Sequence, residues 1–241
     1  MEGSFEKLIA LESEELLDNP AWWSLTGAHA HFAQGHGQAL RYQPEISPFH
    51  AIANVTDPQS WTDLAELVGP EGSVALFGRG IVHPKDWTYI EGGVGVQMTG
   101  ENVIGKFDPE SLALSDSDVP EMLDLVARAQ PGPFAPGTIK LGGYIGFRDN
   151  GKLVAMAGCR LNAGKWREIS AVCTEEAYRG RGLAARLVLG VVAAISADGQ
   201  IPFLHASETN LNAIRLYETL GFKHRTKPSW VLLQPPAKSA D

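Results

Sequence analysis

The stretch that decides the fold is RGRGLA at residues 179–184, a glycine-rich turn between a strand-like run and a helix-like run. The run before it, EISAVC at residues 168–173, is short, apolar and β-branched, which is typical of a buried strand. The run after it, at residues 183–195, is long and rich in helix formers. The sequence therefore predicts a strand, a tight turn and a helix in succession.

A glycine turn that opens a helix is suited to binding an anion. Unpaired N–H groups collect at the positive end of the helix dipole, and glycine lets the backbone approach a phosphate closely. Arg179 and Arg181 add guanidinium groups that can fork onto phosphate oxygens. The stretch is not a P-loop, since no Gly-Lys-Ser/Thr follows, and it lacks the third glycine of a dinucleotide fingerprint. A basic turn with a glycine cap is the alternative interpretation of this motif alone.

A second motif lies at residues 210–222, which read NLNAIRLYETLGF. The apolar side chains that fall on one helical face are Ala213, Leu216, Tyr217 and Leu220. Gly221 is placed to end the helix. Residues 202–207 before it predict a buried strand, and residues 222–233 after it predict two short strands.

Together the two motifs resemble those of the GNAT family of acyl-CoA-dependent N-acyltransferases. The pyrophosphate loop of that family, Arg/Gln-x-x-Gly-x-Gly/Ala, is matched by Arg179, Gly182 and Ala184. Its last helix, Asn-x-x-Ala-Ile-x-x-Tyr-x-x-x-Gly-Phe, is matched by Asn210, Ala213, Ile214, Tyr217, Gly221 and Phe222. Residues 131–134 and 168–174 resemble the FR47-like branch in particular. The resemblance covers about residues 110–241.

The resemblance implies an α/β fold of the α+β kind at residues 109–241, with a mixed, mostly antiparallel central sheet flanked by helices. The pattern of runs fits the order β-α-loop-β-β-β-α-β-α-β-β, with a hairpin turn at residues 149–151. Residues 1–108 are expected to form a smaller N-terminal α/β domain whose role the sequence leaves unassigned. Its predicted elements are helices at residues 6–17 and 60–68 and strands at residues 74–77 and 87–100, the last interrupted at Gly92 and Gly93.

Composition predicts a cytoplasmic protein without a metal site. The N-terminus is acidic and lacks the apolar run of a signal peptide, and no apolar run is long enough to span a membrane. Cys159 and Cys173 lie in strand-like runs and are expected to be reduced core residues, not a disulfide or a metal pair. No cysteine accompanies the histidines His29, His31 and His36.

Charge is divided unevenly between the two halves. Residues 1–110 hold 5 Lys/Arg against 16 Asp/Glu, whereas residues 111–241 hold 15 against 12. The basic half contains the glycine turn, which suits a polyanion such as CoA, and the net charge of −8 argues against general binding of nucleic acid. We hypothesise that the acidic half lies beside the acceptor cleft and attracts a cationic acceptor. A solvated acidic surface is the alternative.

The resemblance implies how acetyl-CoA would be held. The pyrophosphate is expected to bind the backbone of the glycine turn, at Arg179, Gly180, Arg181, Gly182, Leu183 and Ala184. Backbone groups of Val172, Cys173 and Thr174 are expected to pair with the pantetheine amides, because the family splays two strands at this point and also places an oxyanion donor there. Asn210 is expected to contact the pantetheine arm, with a helix N-cap as its alternative role.

Acyl transfer from a thioester to an amine needs a neutral amine, a stabilised oxyanion and a protonated leaving group. Deprotonating a lysine-like amine at pH 7 costs about 4–5 kcal/mol, so a base is expected. The resemblance makes Glu168 the base candidate, and a solvent-facing strand end is its alternative role; His205 or a water chain are the other candidate bases. Tyr217 is expected to protonate the leaving thiolate, with a core tyrosine as the alternative.

The resemblance therefore implies an acyltransferase, namely an acetyl-CoA-dependent N-acetyltransferase that acts on the amine of a small molecule or an amino acid. Two alternatives stay open: an enzyme that uses longer acyl-CoA with an amino-acid acceptor, and a CoA-binding sensor without turnover. The family lines its acceptor pocket with segments that correspond here to about residues 121–138 and 223–230. Small molecules are the expected partners, with no nucleic acid and no membrane, and the chain is expected to be a monomer or a homodimer.

Overall fold

The computed structural model describes residues 13–237, whose strands form one large sheet with helices on both faces. The helices are α1 (Pro20–Leu25), α2 (Pro58–Val68), α3 (Val119–Ala129), α4 (Leu183–Ala197) and α5 (Leu211–Thr219). The strands of the first half are β1 (Ala33–His36), β2 (Ala39–Tyr42), β3 (Phe49–Ile52), β4 (Val74–Gly78) and β5 (Thr88–Thr99). Those of the second half are β6 (Leu112–Leu114), β7 (Tyr144–Asp149), β8 (Lys152–Ala163), β9 (Trp166–Thr174), β10 (Ile201–Ser207), β11 (Lys223–Thr226) and β12 (Ser229–Gln234).

The second half follows the predicted order of elements from β6 to β12. Ser115 and Asp118 form a capping box ahead of α3, so a short polar segment fixes where that helix begins. Asn150 and Gly151 take left-handed φ values of 49° and 83°, which is the conformation that a two-residue hairpin turn requires. The predicted hairpin between β7 and β8 is therefore confirmed.

The strands follow one another in the sheet in the order β1-β2-β3-β4-β12-β5-β10-β9-β8-β7-β6, and β11 pairs with β5 beside this path. Neighbouring strands are antiparallel except for two pairs, β3 with β4 and β9 with β10, which are parallel. The sheet is thus mixed and mostly antiparallel, as predicted.

The two halves of the chain exchange strands within this sheet. β5 pairs with β10 and β11 through its last residues and with β12 through its first ones. β12, from the end of the chain, lies between β4 and β5. Strands on either side of position 108 are therefore paired with each other, and the division into domains at residues 1–108 and 109–241 stays a prediction.

The first half repeats the strand arrangement of the second. In each half a helix joins two parallel strands: α2 connects β3 to β4, and α4 connects β9 to β10. In each half the strand beyond the parallel pair comes from the other half, β12 beside β4 and β5 beside β10. The sequence reveals no internal repeat, so this likeness exists at the level of topology alone.

Each face of the sheet has its own buried core. On one face α4 and α5 cover Ile169 and Leu204, and each aliphatic side chain buried there contributes on the order of 1.5–3 kcal/mol. On the other face α1 packs near Leu161, Trp166 and Phe203. Because side chains alternate along a strand, the residues next to Ile169 and Leu204 point into the second face.

Two features of the first half differ from the sequence-based predictions. The sequence predicts no strand between residues 21 and 52, where β1, β2 and β3 lie; each has four residues and a burial pattern without clean alternation. The predicted interruption at Gly92 and Gly93 is wrong, since β5 runs through both. A Cβ on Gly93 would lie 2.7 Å from Nε1 of Trp230, so these glycines make room for a neighbouring side chain.

The predicted first helix lies mostly outside the described residues. Its last residues belong to the 3-10 helix Glu14–Asp18, which Ser13 caps by accepting a hydrogen bond from the Glu15 N–H. Within residues 13–237, no helix is long and apolar enough to cross a lipid bilayer.

Candidate active site

The glycine turn lies at the carboxyl end of β9 and leads into α4. The chain passes through the 3-10 helix Glu176–Tyr178 and then takes left-handed φ values of 76° at Gly180 and 75° at Gly182. A residue with a side chain is strained in this region, so the turn depends on glycine. In the described chain nothing lies within 4 Å of a Cβ placed on either glycine. The backbone of the turn is therefore open to close approach by a ligand.

The first turn of α4 offers hydrogen-bond donors that the helix itself does not use. Its N-cap is Gly182, which has no side chain to cap the helix. The first hydrogen bond of the helix runs from the Arg186 N–H to the Gly182 carbonyl at 3.1 Å, so the N–H groups of residues 183–185 precede the helical ladder. Since α4 has fifteen residues, these N–H groups form the positive end of a long helix dipole.

The two arginines of the turn are exposed, and each donates a hydrogen bond to a backbone carbonyl that precedes it in the chain. Arg179 donates from Nε to the Thr174 carbonyl at 3.4 Å. Arg181 donates to the Ala177 carbonyl at 3.2 Å, and its guanidinium lies 4.6 Å from the ring centre of Tyr178. These contacts orient both side chains beside the turn, where their remaining N–H groups can meet an anion.

A bulge bends β9 beside the turn. Ser170 pairs with Gly158 and Cys173 with Met156, so two residues of β9 oppose one residue of β8. Ala171, at the bulge, has a φ of 53°, an uncommon conformation for a residue with a side chain. Ala171 is not among the predicted site residues, because an alanine in a strand-like run carries no sign of such a conformation.

β9 and β10 separate at this point. Their last paired residues are Ile169 and Leu204, although β9 continues to Thr174 and β10 to Ser207. The edge of β9 that includes Val172 is thereby left without a β10 partner, as the resemblance implies for a pantetheine site. The hydroxyl Oγ1 of Thr174 is buried and has no hydrogen-bond partner within residues 13–237, so it is a further polar group that a ligand could satisfy.

Cys173 can contribute only its backbone to this gap. Its side chain is buried against Met122 and Leu125 of α3, and burial raises the pKa of the thiol to about 12. The thiol of Cys159 is also buried, and its pKa is raised to about 11 for the same reason. Both cysteines are free and buried, so their predicted place in the core is confirmed, and their reduced state stays a prediction.

Tyr217 and Asn210 both lie on α5. Tyr217 is buried, with 6% of the residue exposed, and Phe222 meets its ring edge-on at 6.0 Å between ring centres. Burial raises the pKa of Tyr217 to about 12, which keeps the phenol protonated at neutral pH. Asn210 is the N-cap of α5, and its Oδ1 accepts from the Ala213 N–H at 3.2 Å. The cap role is thus present, and the pantetheine contact stays a prediction for its amide group.

Glu168 is not at a solvent-facing strand end, because its side chain is fully buried on the face covered by α1. Arg160 donates two hydrogen bonds to the carboxylate, from Nε at 2.8 Å and from a terminal nitrogen at 2.7 Å. The Leu161 N–H donates a longer one at 3.3 Å, and His205 Nδ1 lies 2.7 Å from Oε1. Burial opposes ionisation, but the Arg160 charge outweighs it and holds the pKa of Glu168 well below its ordinary value.

His205 is held between Glu168 and a glutamine from the first half of the chain. Arg225 donates to Oε1 of Gln97 at 2.7 Å, which fixes the orientation of that amide. The Gln97 Nε2 group then donates to the Leu17 carbonyl at 2.7 Å and lies 2.9 Å from His205 Nε2. His205 Nε2 must therefore accept a hydrogen bond while Nδ1 donates to Glu168. Burial lowers the pKa of His205, consistent with a neutral ring.

The structure thus joins two of the three predicted bases into one hydrogen-bonded unit. Both nitrogens of His205 are engaged, and a carboxylate with a lowered pKa is a weak proton acceptor. The base role of Glu168 stays a prediction, and the alternative role is that Glu168 positions His205 through their hydrogen bond. Arg160, Gln97 and Arg225 complete the unit, and no local motif in the sequence marks any of them.

We expect Glu168→Gln to lower the free energy of unfolding by about 3–5 kcal/mol, because Arg160 would be left buried without its counter-charge. The difference in unfolding free energy between wild type and the variant is expected to become smaller as the pH falls below the ordinary carboxyl pKa of 4.5. A group whose pKa is lowered by folding stabilises the fold only while it is ionised. Urea unfolding at several pH values measures both effects. Asp124→Asn, in the exposed pair with Arg128, is the control and should change stability by no more than about 1 kcal/mol.

The kcat/KM of the folded Glu168→Gln variant then distinguishes the two roles across pH. A loss that is greatest near neutral pH and shrinks at high pH, where the amine is already neutral, identifies the carboxylate as the base. A loss of the same size at every pH assigns Glu168 to positioning and leaves His205 or a water chain as the base. An unchanged stability at neutral pH would contradict the buried ion pair itself.

The comparisons with known proteins show which family the chain resembles in sequence and fold. The sequence profile described as FR47-like protein matches residues 144–231, from β7 to β12. A solved structure from Novosphingobium aromaticivorans, assigned to the GNAT family of acetyltransferases, is 38% identical with a TM-score of 0.83. The alignment covers 93% of this chain and 99% of that chain, so the similarity includes the first half. No curated protein matches in sequence.

Two more distant structures share the fold. A GCN5-related N-acetyltransferase from Kribbella flavida is 16% identical, with a TM-score of 0.57 and coverage of 91% of this chain and 96% of that chain. A GCN5-related N-acetyltransferase-like protein from Streptococcus suis is 18% identical, with a TM-score of 0.54 and coverage of 88% and 92%.

Proposed function

The chain belongs to the GNAT family of acetyltransferases, and on this basis we propose that it transfers an acetyl group from acetyl-CoA to the amine of a small molecule or an amino acid. One observation carries the proposal beyond family membership. Gly180 and Gly182 both have left-handed φ values and open space above them, at the uncapped N-terminus of α4. Such a turn is suited to a pyrophosphate.

The donor is proposed to bind along the line from the turn to the gap between β9 and β10. The N–H groups that open α4 would hold the pyrophosphate, with Arg179 and Arg181 adding charge. The free edge of β9 and the Thr174 hydroxyl would meet the pantetheine arm. The unpaired strand edge, the unsatisfied hydroxyl and the open glycines follow one another along the chain and support this path.

The reaction exchanges one bond to the acyl carbon for another. When bound, acetyl-CoA supplies that carbon as a thioester; the C–N bond forms as the C–S bond breaks, the amine loses a proton and the sulfur gains one. The backbone at the Ala171 bulge is proposed to donate a hydrogen bond to the developing oxyanion. Tyr217, whose phenol is protonated at neutral pH, is proposed to give its proton to the thiolate.

A thiol-release assay tests the proposal. Wild-type protein is incubated with acetyl-CoA and a panel of amines, amino acids and short peptides, and free thiol is followed over time. We expect release above the rate of spontaneous hydrolysis that depends on both the protein and a small acceptor. Tight CoA binding without acceptor-dependent thiol release would instead favour a CoA-binding module without turnover.

A further inference from the structure

The carboxyl ends of the two parallel strand pairs face each other across the middle of the sheet. β4 and β5 run in the same direction because β12 lies antiparallel between them, and β10 runs opposite to both. Gly78, at the end of β4, is level with Ser229 and Val94, while Ser207, at the end of β10, pairs with Gly95. The ends of β4 and β10 therefore meet at the same level, pointing toward each other.

Side chains connect these two ends directly. The ring of Phe77 on β4 contacts the ring of His205 on β10, edge to face, with 4.3 Å between their centres. The hydrogen-bonded unit around His205 also extends toward the end of β4. Arg225, which donates to Gln97, lies 2.9 Å from Oδ1 of Asp18. The contact between Phe77 and His205 thus links the end of β4 to the gap between β9 and β10, where the donor thioester is proposed to lie.

A cavity of about 160 Å³ occupies the end of β3 and β4 at this point. Phe77 and Asp18 are part of its wall, together with Ala53, Arg79 and the end of β3. Pockets for drug-sized ligands span roughly 300–1,000 Å³, so this one fits only a small molecule. A second cavity, of about 390 Å³ beside Trp61 and Trp87, lies at the opposite end of the same strands, away from β10.

The charged groups on the cavity wall are Asp18 and Arg79. Arg79 lies 3.6 Å from Asp18, and 61% of its side chain is exposed, so among residues 13–237 most of its guanidinium donors are left for a carboxylate. Asp18 Oδ1 is buried 2.9 Å from Arg225, whereas the side chain as a whole is one-third exposed, so its other oxygen, Oδ2, beside Arg79, can accept from a ligand N–H. A ligand that carries both a carboxylate and an amine matches this pair of groups.

We infer that this cavity, contributed by the first half of the chain, binds the acyl acceptor and that the acceptor is a small amino acid. The inference rests on the proposed function and gives the first half a role in it. Arg79 binds the carboxylate, and Asp18 Oδ2 accepts from the amine and holds it at the Phe77 side, toward the gap between β9 and β10. The cavity differs from the acceptor region that the resemblance implies, since neither residues 121–138 nor residues 223–230 line it.

The charge part of the inference is tested with acceptors that differ only by the carboxylate. The pairs are glycine with methylamine, alanine with ethylamine and serine with ethanolamine, each assayed with wild type and Arg79→Gln. We expect Arg79→Gln to raise KM for the amino acids by about tenfold or more, as expected for a lost hydrogen bond to a charged group, and to leave KM for the amines and for acetyl-CoA unchanged. An equal change for both members of each pair overturns the assignment of Arg79 to a carboxylate.

The location is tested by filling the cavity. Ala53→Trp places an indole in the space at the end of β3 and should raise KM for the amino acids at least tenfold without changing KM for acetyl-CoA. Thr62→Trp fills the second cavity in the same way and should leave both values unchanged. Equal melting temperatures for the two variants exclude a folding defect. An unchanged amino-acid KM in Ala53→Trp overturns the inference.

Failure of the proposed function is recognised separately. If wild type releases no thiol with any acceptor, acetyl transfer to these amines is wrong, and the cavity is then tested by binding alone. Saturation-transfer NMR with glycine, alanine and serine should show contact with wild type and a loss of contact in both Arg79→Gln and Ala53→Trp. Equal signals from wild type and Ala53→Trp overturn the cavity assignment even in the absence of turnover.

Discussion

Gly182→Val is expected to abolish the binding of coenzyme A. At this position φ is 75° and no atom of the described chain lies within 4 Å of a Cβ, so the side chain would project into the space through which a pyrophosphate must approach. Losing two hydrogen bonds to a charged ligand weakens binding on the order of 100-fold or more. Calorimetry with coenzyme A, on protein shown to be folded, measures the effect.

Backbone strain alone does not distinguish a ligand site, so the control must carry the same strain. Gly199, just beyond the other end of α4, has a φ of 71° and equally open surroundings. Valine at either position costs roughly 1–3 kcal/mol in the folded state. Gly199→Val should therefore lose similar stability and keep its affinity for coenzyme A. Undiminished affinity in Gly182→Val would remove the glycine turn from the donor site.

Tyr217→Phe is expected to lower kcat on the order of 100-fold with little change in KM for acetyl-CoA. The substitution keeps the packing against Phe222 and removes only the hydroxyl, whose proton is proposed to go to the leaving thiolate. Burial raises the pKa of the phenol to about 12, so its proton is present at neutral pH. Steady-state kinetics across pH measure the loss.

Tyr144→Phe is the matched control for the loss of a buried hydroxyl. The Tyr144 hydroxyl is buried and has no hydrogen-bond partner within residues 13–237, and the ring packs against Phe134 at 5.6 Å between centres. Its removal should leave kcat unchanged. If Tyr217→Phe also keeps its kcat at every pH, Tyr217 is a core residue and another group protonates the thiolate.

The parts of the site that the sequence predicts are those whose residues are close together in the chain. The glycine turn needs only a strand, two glycines and a helix in succession, and residues 179–184 provide them within one short stretch. The last helix is equally local, since the predicted face of Ala213, Leu216, Tyr217 and Leu220 packs against the core, together with Ile214 beside it. For these elements periodicity and turn chemistry are sufficient, and the structure has them where the sequence places them.

The parts that the sequence does not predict depend on distant contacts. Gln97 meets His205 across 108 positions and Arg225 across 128, and no periodic pattern links residues so far apart. The strand that contains Glu168 is predicted, but the burial of the Glu168 side chain is not, because the segments that cover that face belong to the first half of the chain. The bulge at Ala171 likewise arises from pairing with β8, which local sequence does not specify.

The first half has no recognised motif, and the structure shows it as part of the same sheet as the second half. Its strands pair with those of the second half through β5 and β12. Four-residue strands such as β1 and β2 gain their stability from neighbours, and their own hydrophobic pattern is too short to identify them.

Transfer of an isotope-labelled acetyl group is the most direct measurement of the proposed activity. Acetyl-CoA labelled in the acetyl carbons is incubated with a small amino acid and wild-type protein, with Gly182→Val in parallel, and the amino acid is analysed by mass spectrometry. Transfer predicts label in an amide on the acceptor nitrogen with wild type and none with the variant. Label that stays on coenzyme A, or that appears only as free acetate, would contradict acyl transfer to an amine.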